Sequence, residues 1–260
     1  MADPGETMQR WKRVVGTGIS AVHGVKSKFS EKPKSLRVLM YHSIGSPDLG
    51  ELDGLYRLTA QRFESHLSFL RARQSDSHHV VHPLTDLAQV GLSITFDDGY
   101  RDNLEIAAPL LVEFGFPFHV FVNPSFVLSG ADKYLTVPSL RELASIPGAS
   151  VGAHGYSHRR LTDCTPAELE YELVASKQWI ESVIGRAVTT MAYPHGAVND
   201  QVRQAAAKAG YAIAATSKFG SINSSSDRFA LERTEIWSTD TVREFRSKLS
   251  GNWDWMSRRT

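Results

Sequence analysis

The stretch that decides the fold is SITFDDGYRDN, residues 93–103, in which an apolar run stops at two adjacent acids and a glycine. Residues 92–96 are apolar or β-branched and predict a buried strand. The helical pattern RDNLEIAAPLLVEFG, residues 101–115, follows directly and ends on a glycine. Asp97 and Asp98 are therefore predicted at the carboxyl end of a strand, where a helix begins.

The same alternation of strand and helix patterns continues along the chain. Further strands are predicted at residues 36–41, 118–122, 149–153, 188–193, 211–216 and 229–236. Helical patterns lie between them at residues 59–73, 166–185 and 199–210. This order predicts parallel strands with helices outside, in either a barrel or a doubly wound sheet. A chain of 260 residues is within the range of a single α/β barrel.

The composition excludes some classes of protein. With 29 basic and 28 acidic residues the chain has no bulk attraction for nucleic acid, so no nucleic-acid partner is expected. Cys164 is the single cysteine, so the chain carries no internal disulfide to mark an oxidising compartment. No apolar run approaches the roughly 20 residues that a membrane-spanning helix needs.

Residues 1–34 form a tail that precedes the predicted catalytic domain, residues 35–260. Apolar residues recur there at helical spacing among basic ones, which is the pattern of an amphipathic cationic helix: Trp11, Val15, Val22, Val25 and Phe29. Such a helix either packs on the domain or contacts anionic lipid, and three glycines weaken it. The tail resembles an export signal only in part, because no small-residue cleavage site follows cleanly. We therefore expect a cytoplasmic protein, with peripheral membrane contact through the tail as the alternative.

Polar residues gather where the predicted strands end. Asp97 and Asp98 end one strand, and His42, His154 and His195 follow three others. In a parallel α/β barrel the carboxyl ends of all strands open on one face, where active sites are built. The sequence therefore predicts one site made from four strands.

The spacing of these residues suits a metal ion. His154 and His158 are four residues apart, so both imidazoles can reach one ion, and one aspartate completes three protein ligands. That arrangement leaves a coordination position for water, and the second aspartate can act as the base that water attack requires. The alternative is that Asp97-Asp98-Gly99 is ordinary turn chemistry and that an aspartate caps the next helix. The residues alone do not decide which aspartate has which role.

Taken in order, the motifs resemble a known family. TFDDGY at 95–100, HGYSH at 154–158 and AYPHG at 192–196 resemble the successive signatures of the polysaccharide deacetylases, the NodB-homology family of carbohydrate esterases. VLMYHSIG at 38–45 resembles the lead strand of many members, and FALERTEI at 229–236 resembles the late Leu-x-Arg segment of one branch. The resemblance covers nearly all of the chain beyond the tail.

The resemblance implies a distorted (β/α) barrel with about seven parallel strands and a hydrolase that removes acetyl groups from N-acetylated sugars with a divalent metal, usually zinc. By motif position Asp97 would be the general base. Asp98, His154 and His158 would hold the metal. The backbone N–H of His195 would help to hold the oxyanion.

Two departures from the family pattern bear on the catalytic groups. The commoner third motif is Arg-Pro-Pro-Tyr-Gly, whereas residues 192–196 read Ala-Tyr-Pro-His-Gly, so the arginine that steadies the base is absent. Either Arg233 substitutes for it or nothing does. The family's late Leu-x-His motif is missing, which leaves the catalytic acid open, and His195 is the candidate. His42, Tyr193 and Arg233 are the predicted substrate-binding residues.

We therefore expect a metal-dependent deacetylase that hydrolyses the N-acetyl group of an amino sugar. Its substrate would be a glycan or a lipid- or nucleotide-linked precursor in surface polysaccharide biosynthesis. One alternative is a carbohydrate O-acetyl esterase, because the same site cleaves an ester more easily than an amide. The other is a catalytically inactive glycan-binding protein, which the two departures suggest. The sequence makes no prediction about the oligomeric state.

Overall fold

A computed structural model of the chain describes residues 35–45, 54–85 and 87–259. The predicted amphipathic tail, residues 1–34, lies outside these described residues, and the prediction of membrane contact through it lies outside them as well. Within the described part, no helix has the length and apolar character that crossing a membrane requires.

Nine strands occur in the described chain, and seven of them form one sheet. They are β1 (Leu36–Tyr41), β2 (Ser43–Ile44), β3 (Arg57–Leu58), β4 (Gly91–Phe96), β5 (Phe118–Val122), β6 (Ala149–Ala153), β7 (Thr190–Ala192), β8 (Ile213–Ala215) and β9 (Thr234–Glu235). The large sheet has the order β8-β7-β6-β5-β4-β1-β9, and every neighbouring pair is parallel. It curls into a half-barrel, so the predicted barrel of seven parallel strands is confirmed.

Seven α-helices connect or flank these strands. They are α1 (Ala60–Arg71), α2 (Ala108–Phe114), α3 (Pro124–Leu128), α4 (Val137–Ser145), α5 (Pro166–Ile184), α6 (Asp200–Lys208) and α7 (Val242–Leu249). The longest, α5, begins at a capping box in which Thr165 and Glu168 bond to each other's backbone N–H, and it stops at Gly185 in the left-handed conformation. The predicted helix at 101–115 opens with a wide π-helical turn, Asn103–Ala107, before α2 begins.

The sheet is buried on both faces, which explains why its strands read as nearly continuous apolar runs. One face packs against the helices and includes Leu39 and Phe96. The inner face holds a separate cluster with Val38, Phe121 and Ala192, and none of the helices in the described part of the chain contributes to it. Polar residues follow the carboxyl ends of the strands, where the barrel opens.

Candidate active site

The polar residues that end the strands line one cavity of about 500 Å³. Asp97 and Asp98 follow β4, His154 follows β6, His195 lies just after β7, and His42 follows β1. In the structure these polar residues therefore converge on one face of the barrel, as predicted. The individual roles of these residues stay predictions.

Asp98, His154 and His158 offer three ligand atoms to one point. The Oδ1 atom of Asp98 lies 3.5 Å from Nε2 of His154 and 3.3 Å from Nε2 of His158. All three ligand atoms lie within 4.8 Å of one another. Ligands bonded at 2.0–2.2 Å around a tetrahedral zinc ion lie about 3.4 Å apart. The two separations from Asp98 therefore match those of ligands that share one small divalent cation.

The hydrogen bonds of these side chains also fit a cation. Nδ1 of His154 lies 2.8 Å from the Ala192 carbonyl, so this nitrogen carries the proton and the lone pair of Nε2 faces the site. Burial, together with the charge of His158, lowers the pKa of His154 to about 4, which keeps its imidazole neutral. Oδ1 of Asp98 is buried and accepts no hydrogen bond of normal geometry from the described residues. A cation would satisfy that oxygen.

Backbone strain is concentrated at the same place. Among the described residues other than glycine, three have a positive φ: Asp98 at 73°, His158 at 60° and His195 at 59°. Each such conformation costs about 1–3 kcal/mol and persists only where the surrounding structure fixes it. Two of the three are candidate metal ligands, and the ring of the third lies 4.6 Å from that of His158.

Asp97 forms a buried ion pair instead of facing the same point. Arg233 donates two hydrogen bonds of 2.7 Å to its two carboxylate oxygens, and the residues are 3% and 1% exposed. Arg233 is fixed in turn by a 2.7 Å bond from Nε to the Thr216 carbonyl. Burial alone would raise the pKa of Asp97, but the charges of Arg233 and His154 and the bonds from Arg233 outweigh it and lower that pKa.

Arg233, which immediately precedes β9, therefore places a guanidinium against Asp97, where the third motif has none. This is the substitution considered from the sequence. Its described hydrogen bonds go to Asp97, Thr216 and Thr95, although it also borders the cavity. Its predicted contact with substrate stays a prediction.

His195 and His42 flank the two aspartates in the order of the sheet. His195 is exposed, and its Nε2 lies 3.2 Å from the His158 carbonyl. Partial desolvation of its ring, with the charge of His158, lowers the pKa of His195. His42 packs its ring 4.5 Å from Tyr56, and its buried Nδ1 has no hydrogen-bond partner among the described residues. Besides the candidate metal ligands His154 and His158, two further imidazoles therefore border the cavity.

Tyr193, the third predicted substrate-binding residue, borders the cavity but is fully buried. Its hydroxyl donates a 2.9 Å hydrogen bond to the carbonyl of Phe229. The hydroxyl is therefore already used within the protein.

Sequence reasoning missed an aromatic wall of the cavity. Phe126 stacks on Tyr134 at 4.4 Å between ring centroids, Tyr134 stacks on Tyr100 at 5.2 Å, and Phe126 lies 5.3 Å from the ring of His158. Tyr100 belongs to the TFDDGY motif and could have been found from it. Phe126 and Tyr134 lie between β5 and α4, where no motif marks them.

Comparisons with known proteins show which proteins this chain resembles. The family model described as polysaccharide deacetylase matches residues 87–214. The chain is 29% identical over 216 residues to YxkH of Bacillus subtilis (strain 168), a provisionally named polysaccharide deacetylase, and the match covers 80% of this chain and 73% of the relative.

Two solved structures have a similar fold. A polysaccharide deacetylase from Bacillus cereus, BC0361, has a TM-score of 0.73 and 25% identity over 83% of this chain and 69% of its own. The Streptococcus pyogenes deacetylase PplD, solved in complex with acetate, has a TM-score of 0.72 and 22% identity over 83% of this chain and 98% of its own.

The segment that matches the family model contains both aspartates, both candidate metal histidines and His195. The sequence match, the half-barrel and the clustering of these side chains at its open end agree. The chain is therefore similar to the polysaccharide deacetylases, which are hydrolases that act on amide carbon–nitrogen bonds.

Proposed function

We propose that this protein is a divalent-metal-dependent deacetylase that removes the N-acetyl group from an amino sugar. The observation that carries the proposal is the trio of Asp98, His154 and His158 beside a separately ion-paired Asp97. One carboxylate is free to face a cation, while the other is held ionised next to it. That division suits hydrolysis, in which the electrophile and the base must be different groups.

Asp98, His154 and His158 would hold the metal. Zinc is the metal proposed, because two imidazoles and one carboxylate form a donor set typical of catalytic zinc sites. When bound, the cation supplies Lewis-acid polarisation of the acetamide carbonyl and of the attacking water.

The remaining steps belong to side chains of the protein. Asp97 takes the proton from the water as it attacks the carbonyl carbon, and Arg233 keeps Asp97 ionised until that moment. The backbone N–H of His195 holds the oxyanion that develops. The carbon–nitrogen bond then breaks as the amine gains a proton, for which the ring of His195 is the proposed donor. His42, at the other flank of the cavity, is the competing donor.

The aromatic wall supports a carbohydrate as substrate. Sugar rings have apolar C–H faces, and the stacked rings of Phe126, Tyr134 and Tyr100 give the cavity one such complementary side. The proposed substrate is an N-acetylated amino sugar in a glycan or in a lipid- or nucleotide-linked precursor, used in surface polysaccharide biosynthesis. A cytoplasmic location is part of the same proposal, with peripheral membrane contact through the tail as the alternative.

Removal of the metal tests the proposal. Treatment with a chelator should abolish release of acetate from an N-acetylglucosamine oligosaccharide, and added Zn²⁺ should restore it, because the metal supplies the Lewis acid that polarises the carbonyl. Acetate and free amine are measured together, and they should appear in equal amounts.

The same measurements separate the alternatives. Acetate release from an O-acetylated sugar, with no amine formed from the N-acetylated one, would indicate an esterase. Binding of the oligosaccharide without release of acetate from either substrate would indicate an inactive glycan-binding protein. Activity that survives complete removal of metal would contradict the proposed mechanism.

Arg233→Met should shift the pH profile of the reaction. Loss of the guanidinium removes the charge that lowers the pKa of Asp97, so that pKa should rise by about 1–3 units, the usual influence of an adjacent arginine. The base is active only when ionised, so the acid limb of kcat/KM should move to higher pH by the same amount. Arg203→Met, at a surface pair with Asp227, is the matched control and should leave the limb in place. An acid limb that does not move in the Arg233 variant would mean that Asp97 is not the base.

A further inference from the structure

A buried carboxylate on α5 contacts the turn that carries the two candidate metal histidines. Glu172 is 3% exposed and lies on the buried side of the helix with Leu169, Leu173 and Ser176. Glutamate is almost never buried to this extent unless it is paired. No lysine or arginine in the described part of the chain forms an ion pair with Glu172, so its charge is satisfied in another way.

Hydrogen bonds from the turn satisfy that charge. Oε2 of Glu172 accepts the backbone N–H of Tyr156 at 2.7 Å and that of Ser157 at 2.9 Å. Oε1 accepts the hydroxyl of Ser157. Bonds to an ionised acceptor are about twice as strong as those between neutral groups. The described hydrogen bonds that this carboxylate accepts therefore all come from Tyr156 and Ser157, the two residues that precede His158.

Further side chains fix the same backbone. Ser176, one helical turn after Glu172, donates a 2.9 Å hydrogen bond to the carbonyl of Gly155, and the fully buried Asn123 donates a 3.1 Å bond to the carbonyl of His154. Gly155 has a φ of 67°, and a Cβ there would lie 3.2 Å from Oε2 of Glu172. The turn therefore passes too close to the carboxylate for a larger residue to fit freely.

The turn ends at His158, whose φ of 60° is unfavourable for a residue with a side chain. A strained residue stays in its conformation only when its neighbours hold it there. The conformation aims Nε2 of His158 at Oδ1 of Asp98, 3.3 Å away. The bonds to Glu172 hold the two residues immediately before this point.

We propose that Glu172 is a positioning residue for the metal site. Its carboxylate fixes the turn between His154 and His158, so that both imidazoles are set for one cation before the cation binds. This inference rests on the proposed function, since it concerns a metal held by these residues. Glu172 acts through backbone geometry and does not itself touch the metal.

The geometry distinguishes a positioning role from a need for negative charge. Because one oxygen, Oε2, accepts both backbone N–H groups, the amide oxygen of Glu172→Gln can occupy that place and keep both bonds. The amide nitrogen can then donate to the Ser157 hydroxyl. Glu172→Ala removes both acceptor oxygens and leaves two partly buried N–H groups without that partner. The two substitutions should therefore differ sharply.

The experiment measures binding of Zn²⁺ to the chelator-treated full-length chain by calorimetry. E172A should bind Zn²⁺ about 10- to 100-fold more weakly, the usual effect of losing a residue that orients a ligand, and E172Q should stay within about threefold of the unchanged protein. E170A is the matched control, because Glu170 lies on the same helix but is exposed. The visible spectrum of bound Co²⁺ should change in E172A even at saturation. A purely structural role would lower the melting temperature and leave both the affinity and the spectrum unchanged.

Each outcome decides a separate point. Equal Zn²⁺ affinity in E172A and the unchanged protein would overturn the positioning role alone, and equal weakening in E172A and E172Q would show that the charge is what matters and overturn it too. An unchanged protein that binds no Zn²⁺ would overturn the proposed function and this inference together. If E172A does not fold, E172D is tested in its place. Aspartate is shorter by one carbon–carbon bond, about 1.5 Å, so its oxygens lie farther from the turn, and E172D should also bind Zn²⁺ more weakly.

Discussion

Asp97→Asn is expected to lower turnover of the amide substrate by about 10²- to 10⁴-fold, the usual contribution of a general base, while Zn²⁺ still binds. The substitution leaves Asp98, His154 and His158 in place, and Asp97 Oδ2 lies farther from His154 Nε2, at 3.9 Å, than Asp98 Oδ1 does. An asparagine of the same shape cannot take a proton from water. Single-turnover kinetics and Zn²⁺ titration of the same preparation measure the two effects separately.

Loss of the ion pair needs its own control. Removing one partner of a buried pair costs about 3–5 kcal/mol of stability, because the other charge stays buried without compensation. Asp97→Asn would leave Arg233 in that state. The double variant Asp97→Asn, Arg233→Met removes both charges, so it should regain stability in urea unfolding while staying inactive. Recovery of turnover together with stability would show that Asp97 had been structural.

Asp98→Asn should have the opposite effect from Asp97→Asn, with metal binding impaired first. It weakens a candidate metal ligand and leaves the pair of Asp97 and Arg233 intact, so Zn²⁺ affinity should fall first and turnover should return partly at high Zn²⁺ concentration. If Asp97→Asn abolished metal binding and Asp98→Asn did not, the division of roles between the two aspartates would be wrong.

The fold was largely predictable because burial leaves a strong pattern in the sequence. Strands covered on both faces need continuous apolar runs, and three of the predicted strands, β1, β5 and β6, have the predicted limits. The polar residues that follow such runs must lie at the open end of the barrel. For this reason the motif residues could be placed together before any coordinates were considered.

The contacts within the site depend on which strands are neighbours, and the sequence does not encode that locally. Arg233 and Asp97 are 136 residues apart and meet because β9 lies beside β1 and β1 beside β4. Which aspartate pairs with arginine follows from that order and from the positive φ of Asp98, not from the DDG motif itself. Glu172 could have been recognised from the sequence, because a carboxylate between Leu169 and Leu173 interrupts the apolar face of a helix.

His195→Phe is expected to lower turnover of the amide substrate by about 10²- to 10⁴-fold, if its ring is the acid. The amine leaves poorly unless it is protonated, and a protonated imidazole can donate that proton. Because the pKa of His195 is lowered, the alkaline limb that it sets should lie below the ordinary histidine value. Phenylalanine keeps the backbone N–H and most of the bulk of the ring but has no proton to give. The alkaline limb of the rate profile should disappear with the donor.

A second substrate separates the ring from the backbone of His195. An activated ester has a leaving group that needs no proton, so His195→Phe should hydrolyse it almost as well as the unchanged enzyme. His195→Asn should behave in the same way, and asparagine tolerates the φ of 59° better than most residues do. Equal losses on ester and amide would mean that the backbone contribution had been damaged.

His42→Phe is the matched comparison, because His42 also borders the cavity and is not a candidate metal ligand. If His195 is the donor, His42→Phe should affect the amide and the ester equally. A contact between His42 and the sugar would not distinguish the two leaving groups. The reverse pattern, in which only the His42 variant is selectively impaired on the amide, would assign the acid to His42. Its buried Nδ1 without a partner gives that outcome a physical basis. The selectivity for the leaving group, more than the size of either loss, therefore identifies which of the two histidines completes the reaction.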